Sequence, residues 1–144
     1  MASWAEVEAE APELAALARE RFDAFTHKTL ATLRRDGSPR ISGSEVEFSD
    51  GEVWIGSMWR AVKALDLRRD PRYALHSGSE DPPEWRGDAK IAGRAEEVAG
   101  AEGKSHRFRC DVDELVVVHL NDARDLLLVD SWHPGRGVER IERR

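Results

Sequence analysis

Ser57, Arg60 and Lys63 are the side chains best placed to do chemistry, because they stand where a strand gives way to a short helix. Between Gly51 and Leu75, Val53 and Ile55 alternate with Trp54 and Gly56, the two-residue period of a strand whose faces pack differently. The strand is expected to stop at Ser57. From Ala61 to Arg69 the period lengthens, with Ala61, Val62 and Leu65 on one helical face and Lys63, Asp66 and Arg69 elsewhere. Asp70 and Pro71 close the helix, since a proline pushes its predecessor out of the helical region and cannot extend the ladder. Such an elbow gathers unpaired donors: the first backbone N–H groups of the helix, the Ser57 hydroxyl, and the cations of Arg60 and Lys63. Together with the positive end of the helix dipole these make an anion site, and phosphate is the commonest anion that fits one. Cations on a short helix also serve simply as a solvated face, so spacing alone leaves both readings open.

The elements around this elbow follow from capping, turn and alternation signals. Ser3-Trp4-Ala5-Glu6 has capping-box spacing and starts a helix. Pro12 either ends that turn or opens a second helix, whose stripe of Leu14, Leu17, Ala18, Phe22 and Phe25 is spaced for burial against a sheet. Thr29 to Leu33 reads as a strand, Asp36-Gly37 as a hairpin turn, and Arg40 to Phe48 as one returning strand; Asp50-Gly51 is a second such turn. That order predicts a three-stranded antiparallel meander. Tyr73 to His76 is a short strand, and Ser77 to Gly87 is loop by composition, its Arg-Gly-Asp triplet a chance run. Asp88 to Val98 is a strand in which Gly93 allows a bulge or a close approach. Gly100 to Arg109 is polar and without a clear period. Glu114 to Leu120 and Leu126 to Trp132 form a hairpin, followed by a turn at His133 to Gly137 and a basic tail from Val138.

Several short strands joined by tight turns, with only one or two helices, predict a mainly β protein: a small antiparallel β-barrel. Its 144 residues suit one domain, 1–144. The formal net charge of −6 gives no support to nonspecific nucleic-acid binding and points to a small partner molecule. A single cysteine, Cys110, rules out an internal disulfide and a cysteine-built zinc site, and fits a reducing cytoplasm. No apolar run reaches the roughly 20 residues of a membrane span, and the acidic N-terminus is unlike a signal peptide. The five histidines lack a close metal-binding spacing, so no metal site is expected, and His119, in an apolar strand, reads as structural. No serine sits in a nucleophile-elbow motif.

Thr32 to Arg40, Val53 to Ser57, Lys63-Ala64 and Leu67 to Arg72, in that order and spacing, resemble the pyridoxamine 5'-phosphate oxidase-like family, whose members include flavin and deazaflavin oxidoreductases. The likeness spans about residues 27 to 99. It implies a six- to eight-stranded antiparallel split β-barrel of Greek-key type with a few short helices, and FMN held in a groove between the subunits of a homodimer. By the same likeness Lys63 would contact the cofactor phosphate, Ser57 the ribityl-phosphate region with Met58 and Arg60 beside it, and Arg40, Ile41 and Ser42 would run along the flavin. Lys90 corresponds to a basic position near the cofactor, its alternative being a solvated strand face. Trp132 and Arg136 resemble a tryptophan and arginine brought by the partner subunit, the alternative for Trp132 being a barrel-edge aromatic. The ending Val138 to Arg144 lacks the Arg-x-His element of the vitamin oxidases, so oxidation of pyridoxamine phosphate is not implied, and a short segment after Gly100 would reshape the substrate side. The implied activity is redox chemistry on a small organic substrate. Two alternatives remain: a reductase using deazaflavin F420, whose acidic tail would need a basic groove such as Arg60, Arg68, Arg69 and Arg72 would line, and a non-enzymatic flavin- or haem-binding module.

Overall fold

Turn chemistry and strand alternation produce ten strands and three helices among the described residues, 1–98 and 103–144, of this computed structural model. The helices are α1 (Trp4–Glu10), α2 (Pro12–Asp23) and α3 (Val62–Arg69). The strands are β1 (Lys28–Leu33), β2 (Pro39–Ser44), β3 (Val46–Ser49), β4 (Glu52–Met58), β5 (Arg72–His76), β6 (Asp88–Glu97), β7 (Ser105–Cys110), β8 (Glu114–Leu120), β9 (Leu127–His133) and β10 (Gly137–Arg143). Every pairing is antiparallel. Seven strands run in the order β10-β9-β8-β6-β5-β1-β2, while β3, β4 and β7 form a second layer tied to the end of β6. The result is the expected split barrel, with more strands than six to eight.

The extra strands have identifiable origins. The run from Arg40 to Phe48 breaks at Glu45, so that β2 pairs with β1 and β3 pairs with β4. The expected three-stranded meander is therefore two hairpins in different layers. The second is closed by Asp50 and Gly51 at φ 54° and 73°, both in the left-handed region that a tight two-residue hairpin turn requires. The unassigned stretch before Arg109 supplies β7, and its beginning at Gly100 lies outside the described residues. The basic tail is also a strand, β10, paired along its length with β9 and exposed throughout. Its alternating charges give it no apolar face to betray it.

Gly93 marks the corner of the barrel. Residues Asp88 to Ala92 of β6 pair with β8, whereas Ala95 to Glu97 pair with β7. At the crossing the connection from β7 to β8 lies against the strand, with Asp111 N–H donating to the Arg94 carbonyl and Asp113 N–H to that of Ala92, both 2.8 Å. A Cβ at Gly93 would sit 2.1 Å from the Asp111 carbonyl oxygen, so only glycine fits.

The core fills the space between the layers and under the N-terminal helices. Ser3 caps α1, its hydroxyl accepting the Glu6 N–H at 3.2 Å, and Pro12 opens α2. Leu14, Ala18 and Phe22 are buried as the helical stripe requires, while Leu17 and Phe25 stay over a third exposed at its margins. Trp4 meets Phe48 edge-on at 4.8 Å, which locks α1 to β3. Helix α3 is fixed by one carboxylate. Asp66, 2% exposed, accepts from Thr32 on β1 at 2.8 Å, Arg40 on β2 at 2.7 Å and Arg69 at 3.0 Å.

Candidate functional site

Strand β4 runs one residue past Ser57, to Met58, and the chain then reverses through Trp59 and Arg60 into α3. Arg60 takes φ 63°, which a side chain bearing Cβ adopts only when its surroundings hold it there. Here the turn is closed by the Ala61 N–H donating to the Met58 carbonyl at 3.1 Å and braced by His106 of β7, whose Nε2 accepts the Arg60 N–H at 2.9 Å. Ala61 is the N-cap residue and makes no side-chain cap, and no acidic residue stands in the first turn, so the leading amides of α3 face the elbow without a carboxylate.

A groove of about 570 Å³ opens at this point, lined by His27, by Gly43 and Ser44 from β2, by Glu45, by Gly56, Ser57 and Met58 from β4, by Lys63 from α3, by Lys104, and by Ser105 at the start of β7. The Lys63 ammonium donates to the Gly43 carbonyl at 2.8 Å and forms no ion pair among the described residues. Partial burial holds it below the usual lysine range, because removal from water disfavours its charged form. An anion in the groove would reverse that cost. The Ser57 hydroxyl donates to the Met58 carbonyl at 3.3 Å, a long bond that leaves its lone pairs free.

The structure thus brings Ser57, Met58 and Lys63 together and leaves Arg60 on the elbow above them. The other expected site residues lie elsewhere. Arg40 and Ser42 point to the inner side of β2, in register with Thr32 and Leu30, and the Arg40 guanidinium is bound to Asp66. Ile41 lies on the outward side with Gly43 and is 73% exposed. Lys90 is on that same outward face, but three strands from Gly43, roughly 14 Å at ordinary strand spacing. Arg136 stands exposed in the β9–β10 turn, 3.7 Å from Glu139. Trp132 corrects both readings drawn from the sequence: it is neither an edge aromatic nor available to a partner, but wholly buried within the core of its own chain. The strict in–out alternation of β9 explains this, because Leu128, Asp130 and Trp132 all face inward.

Of the cations proposed for a deazaflavin tail, Arg68 is bound to Glu97, Arg69 to Asp66 and Arg72 to Asp70. Only Arg60 of the four makes no ion pair among the described residues. His119 is satisfied by Asp130 at 2.8 Å, as a structural histidine should be. Among the described residues no group of three or more potential ligands could hold a metal ion. Gly43, Glu45, Lys104, Ser105 and His106 were not legible as site residues in the sequence. The last three lie in the polar segment that has no period, and Gly43 contributes only backbone.

No family model matches the sequence, and no curated protein matches it. Solved structures do. PhzG from Burkholderia lata 383, in complex with tetrahydrophenazine-1-carboxylic acid, superposes with a TM-score of 0.68 at 12% identity, over 96% of this chain and 92% of that one. A pyridoxamine 5'-phosphate oxidase-related, FMN-binding protein from Nostoc punctiforme PCC 73102 gives 0.65 at 10% identity, over 90% and 94%. A haem-binding protein from Mycobacterium smegmatis gives 0.62 at 20% identity, over 90% of this chain and 58% of that one. These likenesses show that the chain has the split-barrel fold of the pyridoxamine 5'-phosphate oxidase-like proteins.

Proposed function

We propose that this chain is a cytoplasmic, homodimeric FMN-binding oxidoreductase acting on a small organic molecule. The observation that carries the proposal is Lys63: a partly desolvated ammonium with no ion-pair partner among the described residues, lining a groove that Ser57 also lines, in the first turn of a helix that has no side-chain cap. That donor set fits the phosphate end of FMN. Lys63 would pair with the phosphate, the leading amides of α3 would donate to it, and Ser57 would bond the adjoining ribityl oxygens. When bound, FMN supplies hydride or electron transfer, and the chain's part is to anchor, orient and keep out water.

The second subunit is supported by the outward face of the main sheet. Ala31, Ala74, Ala92, Val116, Val118 and Val129 lie on it with Ile41 and Ile141, a broad apolar surface for a sheet facing solvent. A partner laid there would cover Ile41 and reach the flank of the groove beside Gly43. Lys90 lies on this face as well.

The haem-binding neighbour keeps a haem-binding module open as a second reading. The pairing of Arg68, Arg69 and Arg72 with carboxylates weighs against an F420 tail. Absorbance of the purified protein, followed by calorimetric titration with FMN, haem and F420, separates the three. Flavin absorbance and FMN binding are expected, with Lys63→Ala weakening FMN more than tenfold, since a charge-assisted contact contributes about 1.5 to 3 kcal/mol. Unchanged FMN affinity in that variant, or a protein that takes up haem or F420 and not FMN, overturns the proposal.

A further inference from the structure

His106 is a buried titratable group beside the elbow that no part of the cofactor reading uses. Its side chain is fully buried, stacked on Trp59 at 4.5 Å and 13° and, more distantly, on Phe108 at 6.2 Å. Both ring nitrogens are occupied. Nε2 accepts the Arg60 N–H, and a backbone N–H cannot act as an acceptor, so Nε2 carries a lone pair. The ring proton then belongs to Nδ1, which donates to Glu97 Oε2 at 2.7 Å. From this geometry we infer that neutral His106, as its Nδ1–H tautomer, is the positioning residue that locks the Ser57-to-Lys63 elbow, and that protonating the ring releases the lock.

The device is built from groups on every element packed around the ring. Glu97 faces it from β6, Ser57 lies opposite on β4 in register with it, and Arg60 meets it from the elbow. Arg68 of α3 binds Glu97 and lies 5.5 Å over the Trp59 ring. Hydrogen bonds from Arg68, then from His106, hold the Glu97 carboxyl below its ordinary range against the opposing effect of burial, so Glu97 is the ionised acceptor of the ring. A second ring proton would sit on Nε2 and face the Arg60 N–H, two donors with no acceptor between them. Glu97 favours that proton and the Arg60 amide opposes it. Once the amide is expelled, only the turn's own bond, from the Ala61 N–H to the Met58 carbonyl at 3.1 Å, still spans Arg60 at φ 63°, and the turn that sets Lys63 against Gly43 loses its outside brace. By linkage, a ligand that needs the formed elbow must bind more weakly as the ring becomes protonated. This consequence rests on the reading that the elbow grips a phosphate; the lock itself does not.

Two measurements test it. In the ¹⁵N-labelled full chain without ligand, long-range ¹H–¹⁵N spectra at pH 8 should show His106 protonated at Nδ1. On acidification towards pH 5 the Arg60 amide should shift and lose exchange protection with the midpoint of the ring. A ring protonated at Nε2, or an Arg60 amide indifferent to the titration, overturns the inference. FMN affinity is then followed from pH 8 to pH 5.5 in the natural chain and in His106→Gln, whose carbonyl oxygen can accept from Arg60 and whose amide can donate to Glu97 without titrating. The natural chain should lose about fivefold more affinity over that window, the equivalent of one hydrogen bond, and comparison of the two cancels the phosphate's own titration near pH 6. His106→Phe should bind about tenfold more weakly at every pH, with the flat slope of the glutamine variant. Parallel pH curves for the natural chain and His106→Gln overturn the inference. If FMN does not bind at all, the cofactor reading fails while the spectra still decide the lock.

Discussion

Lys63 and Trp132 show how differently single residues disclose themselves. Lys63 was legible because an elbow between strand and helix needs no tertiary information, and the structure adds only the groove and the Gly43 carbonyl that receives it. Trp132 was not, because a tryptophan near the end of a strand reads the same whether its side of the sheet faces the core or a partner. Its zero exposure decides the matter, and its indole nitrogen is buried with no hydrogen-bond partner among the described residues. Those two facts predict unequal losses for two substitutions. Trp132→Ala should destabilise by about 3 to 5 kcal/mol through loss of a filled volume. In a domain of this size that lowers the melting temperature by roughly 10 °C or more, as differential scanning calorimetry would record. Trp132→Phe removes the unsatisfied N–H with part of the ring and should cost far less, within about 2 kcal/mol. Equal losses in the two variants would mean that the ring does not fill the core as described.

At the scale of elements, helix α3 carries the site residue Lys63 but owes its position to Asp66, three residues further along. Burial alone would raise the Asp66 carboxyl, yet hydrogen bonds from Arg40, Thr32 and Arg69 outweigh it and hold the group below the usual carboxylate range. A depressed folded-state value means that the stability from this network is present in full above the ordinary carboxylate pKa near 4 and is lost as pH falls through the folded value. Asp66→Asn should therefore lower stability by about 1 to 2 kcal/mol at pH 7 and by progressively less below pH 4, measured by urea unfolding at a series of pH values. Taking the difference between the two chains removes the part due to other paired carboxylates, such as Asp130 with Arg140. A difference that stays constant with pH would show that the carboxylate charge plays no part in docking α3. The sequence displayed the Asp66 helix but not its anchor, since Thr32 and Arg40 lie 34 and 26 residues away and only the β1–β2 register sets them side by side.

For the whole molecule, composition and turn signals were enough to reach a small antiparallel β-barrel, its split form being implied by the family resemblance, and they failed where strands change partners. The break at Glu45 and the corner at Gly93 each send one continuous run of sequence into two layers, and β10 has no apolar stripe at all. Alternation reports which side of a strand is buried; it does not report against what. The same limit applies to the outward face of the main sheet, where Ala31, Ala74 and Ala92 follow one another across three neighbouring strands with Ile41 beside them. Small side chains there leave a flat surface, and a flat apolar sheet face fits a second copy of itself about a two-fold axis. Ala74 is exposed in the isolated chain, with Arg72, Lys90 and Arg94 around it on the same face, so a carboxylate there is tolerated by a monomer and crowded out only where a second copy covers the face. Ala74→Glu should thus shift the protein from dimer to monomer in sedimentation velocity at micromolar concentration while leaving its far-ultraviolet circular dichroism unchanged. If the groove is completed across that interface, the monomeric variant should also bind FMN more weakly than the natural chain despite an intact Lys63. A variant that remains dimeric would place the subunit contact on another surface, and a natural chain that sediments as a monomer would leave the groove to bind its ligand from one side alone.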